Sequence, residues 1–181
     1  FLSTDQVQHL YSSLKDAMDL ALHRNKNFVH IRDFYLIHTF LETGLRVSEL
    51  ASLKVGDFQS KSLTIQNGKG GKKRTVILSL ATQKMLKQFL KMKKQVLGES
   101  ITRDSPLFMS ERKDHYSTRG IRKRVKFWFS RCNLPEHLSC HSTRHTYISH
   151  LIAAGVDLQT VRANAGHASL GTTSLYGHVV K

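Results

Sequence analysis

The sequence predicts a mainly α-helical domain with one small antiparallel β-sheet. Apolar residues recur at three- and four-residue spacing through most of the chain, as amphipathic helices require. One stretch, residues 62–80, departs from that rhythm and is rich in β-branched residues. There is no internal repeat and no low-complexity tract, and the 181 residues suffice for a single domain with its own core.

The elements follow in order. Ser3 and Gln6 have capping-box spacing, and Val7, Leu10, Leu14, Met18 and Ala21 then recur on one helical face. HRNKN (23–27) reads as a polar loop. VHIRDFYLIHTFLETG (29–44) reads as a second helix, buried on its Phe34, Ile37, Leu41 side and stopped by Gly44. LRVSELASL (45–53) reads as a short third helix. SLTIQ (62–66) and RTVILSL (74–80) are strands flanking NGKGGKK (67–73), a hairpin whose loop is rich in glycine and lysine.

ATQKMLKQFLKMKKQVL (81–97) returns to helix, with Met85, Leu86, Phe89 and Leu90 inward and the lysines outward. STRGIRKRVKFWFSRC (117–132) sets Ile121, Val125 and Trp128 on a dry face and Arg119, Arg122, Lys123 and Lys126 on a cationic one. Three further helices are expected at about 142–154, at 157–166 with Asp157 as cap, and at 171–179.

Composition bounds the function. Hydrophobic residues make up 40% and charged residues 23%, as in soluble globular proteins. No apolar run reaches the length of a membrane span. The first residue is Phe1, so the chain is expected to be a piece of a longer protein. Cys132 and Cys140 form no CxxC pair, which favours a reduced, intracellular protein. The 28 Lys and Arg against 13 acids give a net charge of +15. That excess points to a polyanionic partner, with nucleic acid ahead of an acidic membrane surface because the cations lie on several separate elements.

CHSTRH (140–145) poses the chemical question. His141 and His145 have the i, i+4 spacing of a zinc helix, but Ser142 stands where a metallohydrolase needs its glutamate, and Arg144 would repel a cation. A Cys140–His141 nucleophile pair is poor, since adjacent helical side chains diverge. Phosphate chemistry fits better. Arg46 and Arg144 each offer a planar fork to phosphate oxygens, although Arg46 with Glu49 at i+3 also reads as a surface ion pair. Lys69, Lys72 and Lys73 crowd the hairpin loop, either to bind a DNA backbone or to place one proton donor near a leaving oxygen. Of the five tyrosines, Tyr11, Tyr35 and Tyr147 suit helix packing and Tyr116 a loop. Tyr176 is a candidate nucleophile whose phenolate cationic neighbours would favour.

Four segments in order, TGLRVSEL (43–50), NGKGGKKRTVIL (67–78), HSTRH (141–145) and AGHASLGTTSLYGHV (165–179), together resemble the catalytic domain of tyrosine recombinases, the phage integrase and Xer group. The resemblance spans about residues 30 to 179. It implies that Arg46 and Arg144 bind the scissile phosphate and that His141 assists proton transfer. Lys69 is then the general acid toward the leaving 5′ oxygen, His167 a hydrogen-bond donor to the phosphate, and Tyr176 the nucleophile. Glu49 orients the site and His145 supports it. Lys72, Lys73, Arg74, Arg119, Arg122, Lys123 and Lys126 are expected to bind DNA. Thr143 and Ala165 stand where the family commonly has leucine.

The resemblance further implies a metal-free, cofactor-free transesterification through a 3′-phosphotyrosine, in which arginines and lysine replace magnesium. The whole chain, 1–181, would be the catalytic domain, lacking the family's N-terminal core-binding domain and C-terminal tail. Double-stranded DNA is the implied partner. The full-length protein would be a tetramer on two sites and the isolated domain a monomer. The setting would be a bacterial, phage- or plasmid-derived protein of the nucleoid in the cytoplasm. Two alternatives remain open: an inactive DNA-binding regulator of the same fold, and a telomere resolvase or type IB topoisomerase with related chemistry.

Overall fold

The computed structural model describes residues 1–25, 28–66, 69–99, 101–112 and 114–166. The expected helix at 171–179, with Tyr176, lies outside them, as does His167. Helix α1 (Thr4–Leu20) opens on the capping box read from the sequence: Gln6 N–H donates to Ser3 Oγ at 3.2 Å, and Ser3 N–H donates to Gln6 Oε1 at 2.9 Å. Leu10, Leu14 and Met18 are its buried stripe. The helix does not give way directly to a loop. A wide π turn carries it through Ala21–Asn25, because no glycine or proline interrupts the chain and Ala21 and Leu22 still have core to pack against.

Helix α2 (Phe28–Thr43) is the central element, packed by α1 on one side and by later helices on others. It is therefore buried nearly all round, through Ile31, Tyr35, Leu36, Ile37, Phe40 and Leu41. The single stripe expected from periodicity is too narrow, and Phe34 is only partly covered, with its ring against His38. The buried hydroxyl of Thr39 bonds back to the Tyr35 carbonyl at 2.7 Å, which settles its proton inside the helix. Gly44 ends α2 in the left-handed region, with φ +65°.

Helix α3 (Val47–Ala51) follows at once. Strands β1 (Ser62–Ile65) and β2 (Arg74–Ile77) then pair antiparallel, with Leu63 opposite Val76 and Ile65 opposite Arg74. Both strands stop short of the expected limits. On the β2 side this is because Ser79 caps helix α4 (Leu80–Gln95), its Oγ accepting from Thr82 N–H. On α4, Leu86 and Phe89 point inward as expected, but the lysines are not all outward. Lys93 continues the inward row and is fully buried. Its Nζ is neutralised by Glu99 at 2.5 Å and donates to the carbonyls of Pro106 and Leu107 at 3.2 and 2.8 Å, the compensation a buried ammonium needs.

Helix α5 (Thr118–Arg131) buries Ile121, Val125 and Trp128, as its dry face predicts. Trp128 Nε1 donates to Asp33 Oδ2 at 2.8 Å, and Arg124 pairs with the same oxygen at 2.6 Å, so one buried carboxylate fastens α5 to α2. Helix α6 (Cys140–Ala153) and helix α7 (Leu158–Ala165) complete the described fold. Asp157 caps α7 by accepting from Thr160 N–H at 2.9 Å. A main core runs from Leu2 to Leu138, and a small second cluster of Tyr147, Ile148, Val161 and Ala165 joins α6 to α7.

Candidate active site

The site is assembled where four chain segments meet: the α2–α3 turn, the start of β2, α6, and the end of α7. Arg46 caps α3 from an extended conformation, and its N–H donates to Glu49 Oε1 at 2.8 Å. This is the reach-back half of a capping box, and it fixes Glu49 beneath Arg46 by local sequence alone. The Arg46 Nη1 lies 3.6 Å from Glu49 Oε2 and makes no hydrogen bond among the described residues. Nη1 is itself buried, while the side chain as a whole is 31% exposed, so the guanidinium retains unused donor capacity.

Glu49 itself is buried. Its main partner is Arg74, which approaches bidentate: Nη2 to Oε1 at 3.0 Å and Nη1 to Oε2. Burial by itself would push the Glu49 carboxyl up, but the hydrogen bonds from Arg74 and from the Arg46 backbone, with both positive charges, hold it below the usual range. Arg74 also donates Nε to the Asn164 carbonyl at 3.2 Å. Gly166, at φ +70°, lets the backbone lie against this guanidinium; a Cβ there would come within 2.9 Å of it.

Arg144, on α6, is 8% exposed. Its Nη1 donates to the Gly44 carbonyl at 2.8 Å and its Nη2 to the Ala165 carbonyl. Arg74 and Arg144 thus grip consecutive carbonyls, 164 and 165, at the end of α7. These are among the carbonyls a helix terminus leaves without an internal partner, and the negative end of the helix dipole favours cations there. The contacts close a ring: Arg144 to Gly44, on to Arg46 and Glu49, across to Arg74, and through the end of α7 back to Arg144. Two guanidinium groups, of Arg46 and Arg74, share the single Glu49 carboxylate, and Arg144 is held on neutral carbonyls nearby, an excess of positive charge suited to an anion such as a phosphodiester.

His141 and His145 lie on the same helix as Arg144, both toward solvent. The His145 imidazole is held below its ordinary value by partial burial and by the positive charge of its neighbours, so its neutral form is favoured. For Lys69 the backbone alone is described, in a 3-10 turn (Lys69–Gly71) whose Gly70 and Gly71 take φ of +73° and +75°. Lys72 and Lys73 are exposed beside it, and Arg119, Arg122 and Lys123 are exposed on α5.

Two of the cations expected at DNA have partners within the protein. Arg74 is turned inward, its side chain 12% exposed, because the buried Glu49 carboxylate opposite the start of β2 captures it. The Lys126 Nζ donates to the carbonyls of Glu136 and Leu138 at 2.6 and 2.7 Å, closing the loop between α5 and α6. Sequence reasoning missed the pairing of Arg74 with Glu49 and the use of the Gly44 and Ala165 carbonyls. No spacing rule joins residues so far apart in the chain.

The four described tyrosines are structural. Tyr11 donates its hydroxyl to Glu42 at 2.7 Å, and Tyr116 accepts from Arg32 at 2.9 Å. Tyr147 accepts from Asn164, and Tyr35 is fully buried. Burial pushes the phenol of each upward, that of Tyr35 to about 12. Burial likewise pushes the Cys140 thiol up to about 11, which leaves little thiolate. Among the described residues, no group of three or more His, Cys, Asp or Glu stands together to hold a metal ion.

Among the described residues the chain is a mostly helical domain with one antiparallel hairpin, and its arginines converge at the end of a helix. The sequence profile of the Phage integrase family matches residues 1–181, and the chain belongs to that family. Its homologues are Xer tyrosine recombinases. It is 34% identical over 183 residues to tyrosine recombinase XerC of Pelotomaculum thermopropionicum, covering 99% of this chain and 57% of that protein. It is 29% identical over 178 residues to XerD of Chlamydia muridarum, covering 98% and 57%.

Among solved structures, it is similar to XerH bound to a palindromic difH substrate in a post-cleavage complex. There the TM-score is 0.78 and the identity 25%, with 99% of this chain and 50% of that one covered. The XerA recombinase crystal structure shares the fold at TM-score 0.78 and 23% identity, covering 98% and 58%. The chain therefore spans little more than half the length of these relatives. Among the described residues, no helix is long and apolar enough to cross a membrane.

Proposed function

We propose that this chain is the catalytic domain of a site-specific DNA recombinase that cleaves and rejoins strands by metal-free transesterification. The observation that carries the reading is the arginine ring: Arg46 and Arg144, from distant parts of the chain, are anchored to one another through Gly44. The Arg46 side chain is 31% exposed, and its buried Nη1 has no hydrogen-bond partner among the described residues.

In this reading the two guanidinium groups clamp the scissile phosphate and offset the charge that builds up on its equatorial oxygens in the pentacovalent transition state. Tyr176 attacks the phosphorus, forming a 3′-phosphotyrosine as the bond to the 5′ oxygen breaks. Lys69, on the glycine-rich hairpin, gives that oxygen its proton, while His141 and His167 handle the proton of the phenol and hydrogen-bond the phosphate. The linkage conserves bond energy, and a partner strand's 5′-hydroxyl reverses the step. Exposed Lys72, Lys73, Arg119, Arg122 and Lys123 serve phosphate contacts along the duplex. The protein would act in a bacterial cytoplasm as a tetramer on two double-stranded sites, completed by a DNA-binding domain outside this chain. The likeness to XerH, solved on its DNA substrate, and to XerC and XerD supports the assignment.

The test is a nicked suicide duplex bearing the protein's own crossover site. The full-length protein is expected to form a covalent adduct that EDTA does not suppress and that Tyr176→Phe abolishes without loss of binding. An adduct undiminished in Tyr176→Phe would overturn the choice of nucleophile, and strong inhibition by EDTA would overturn the metal-free mechanism.

A further inference from the structure

We propose that Arg74 is a positioning residue of the active site, which by occupying Glu49 leaves the Arg46 guanidinium available to the scissile phosphate. The inference rests on the recombinase reading above and deepens it. Glu49 is a buried carboxylate placed between two guanidinium groups, and it has only two oxygens to share. Arg74 takes both in the bidentate geometry that makes arginine–carboxylate pairs strong. Arg46 is left at 3.6 Å, an ion contact with no side-chain hydrogen bond to the carboxylate.

Without Arg74, Glu49 would be a buried charge with Arg46 as the one cation paired with it among the described residues. Arg46, already tethered to it through its backbone N–H, would swing in as the replacement. A guanidinium spent on Glu49 no longer stabilises the transition state. Arg74 has a second hold on the site through the Asn164 carbonyl, next to the Ala165 carbonyl that Arg144 grips. It therefore sets the end of α7 relative to both arginines. The inward turn of Arg74 also separates it from Lys72 and Lys73, its exposed neighbours on the hairpin.

The experiment separates positioning from DNA contact. In the full-length protein on the suicide duplex, Arg74→Ala is expected to leave DNA affinity and its salt dependence unchanged. The single-turnover adduct rate at saturating DNA should fall on the order of 100-fold, the scale of a small misplacement of a catalytic group. Adding Glu49→Gln to Arg74→Ala should restore the rate by roughly tenfold over Arg74→Ala alone, as coupled neighbours do. The neutral amide still accepts from the Arg46 N–H but no longer captures its guanidinium.

A weakened affinity whose salt slope drops by about one, with an unchanged saturating rate, would overturn the proposal and make Arg74 a phosphate contact. A double variant no faster than Arg74→Ala would also overturn it. Should thermal melts show Arg74→Ala unfolded, Arg74→Lys keeps the charge without the fork. It is expected to lose rate and not affinity, and full wild-type rate in it would sink the idea. A wild-type protein that forms no adduct would instead overturn the recombinase reading beneath the inference.

Discussion

The guanidinium of Arg144 hydrogen-bonds the carbonyl of Gly44 at 2.8 Å, across 100 residues of sequence. The contact ties the turn that carries Arg46 to the helix that carries His141 and His145, so two motifs that are remote in the chain become one surface. Arg144→Ala should lower the saturating cleavage rate by about 100- to 1000-fold, the effect of removing a preorganised donor from a transition state. It should also destabilise the fold, since two buried carbonyls each lose a charged donor at a cost of about 1–3 kcal/mol. Single-turnover adduct formation and urea unfolding would read the two effects separately. Arg144→Lys should rescue neither fully, because one ammonium cannot span both carbonyls in the guanidinium's geometry.

Gly44 has its own requirement. Its φ is +65°, and a Cβ built there would lie 2.3 Å from the Tyr147 ring. Gly44→Ala should therefore cost about 1–2 kcal/mol for the left-handed backbone and about 1–3 more for overpacking. Combined with Tyr147→Ala, the loss should be clearly less than the sum of the two single losses, as denaturant melts of the four proteins would measure.

Asp33 is fully buried and serves Arg124 and Trp128 through one oxygen. Asp33→Ala leaves Arg124 without its buried counter-charge and should cost about 3–5 kcal/mol. Trp128→Phe removes a single donor and should cost less. Equilibrium unfolding with an unchanged m-value would identify both as native-state effects.

His38 makes stability pH-dependent. Its ring stacks on Tyr11 at 3.7 Å between centroids, and its Nε2 is buried without a hydrogen-bond partner among the described residues. Burial lowers its pKa to about 4. The unfolded chain, with a value near 6.5, takes up the proton first. The contribution is therefore complete above about pH 6.5 and is lost as pH falls from there toward 4, by up to about 1.4 kcal/mol per pH unit. His38→Phe should flatten that slope in melts between pH 7 and 4. An unchanged slope would show that His38 is not its source.

Much of the scaffold was legible in the sequence. The capping box at Ser3, the cap at Asp157 and the glycine stop at Gly44 depend on contacts three or four residues apart, so spacing alone identifies them; the cap at Ser79 reads as strand instead. Where reading failed, tertiary packing had overridden periodicity. α2 shows no single stripe because helices cover it on several sides. Lys93 lies inward because Glu99 and two carbonyls beyond the end of its helix make burial tolerable there. Within the site, the pairing of Arg46 with Glu49 could be read from their spacing. The turn of Arg74 away from the hairpin's other cations could not.

The sequence by itself determined which residues could meet a phosphate, through the order of its four motifs, and which stretches would be helix or hairpin. Those are local properties, set by side-chain type and by spacings of a few residues. Tertiary structure alone decided how the charges are shared: that Arg74 takes both oxygens of Glu49, that Arg46 stays at ion-pair distance from it, and that Arg144 is anchored to the carbonyls of Gly44 and Ala165. The physical reason is burial. Once packing removes water from Glu49 and from the end of α7, each charge and each carbonyl must find a partner among whatever the fold has brought near, and chain distance no longer matters.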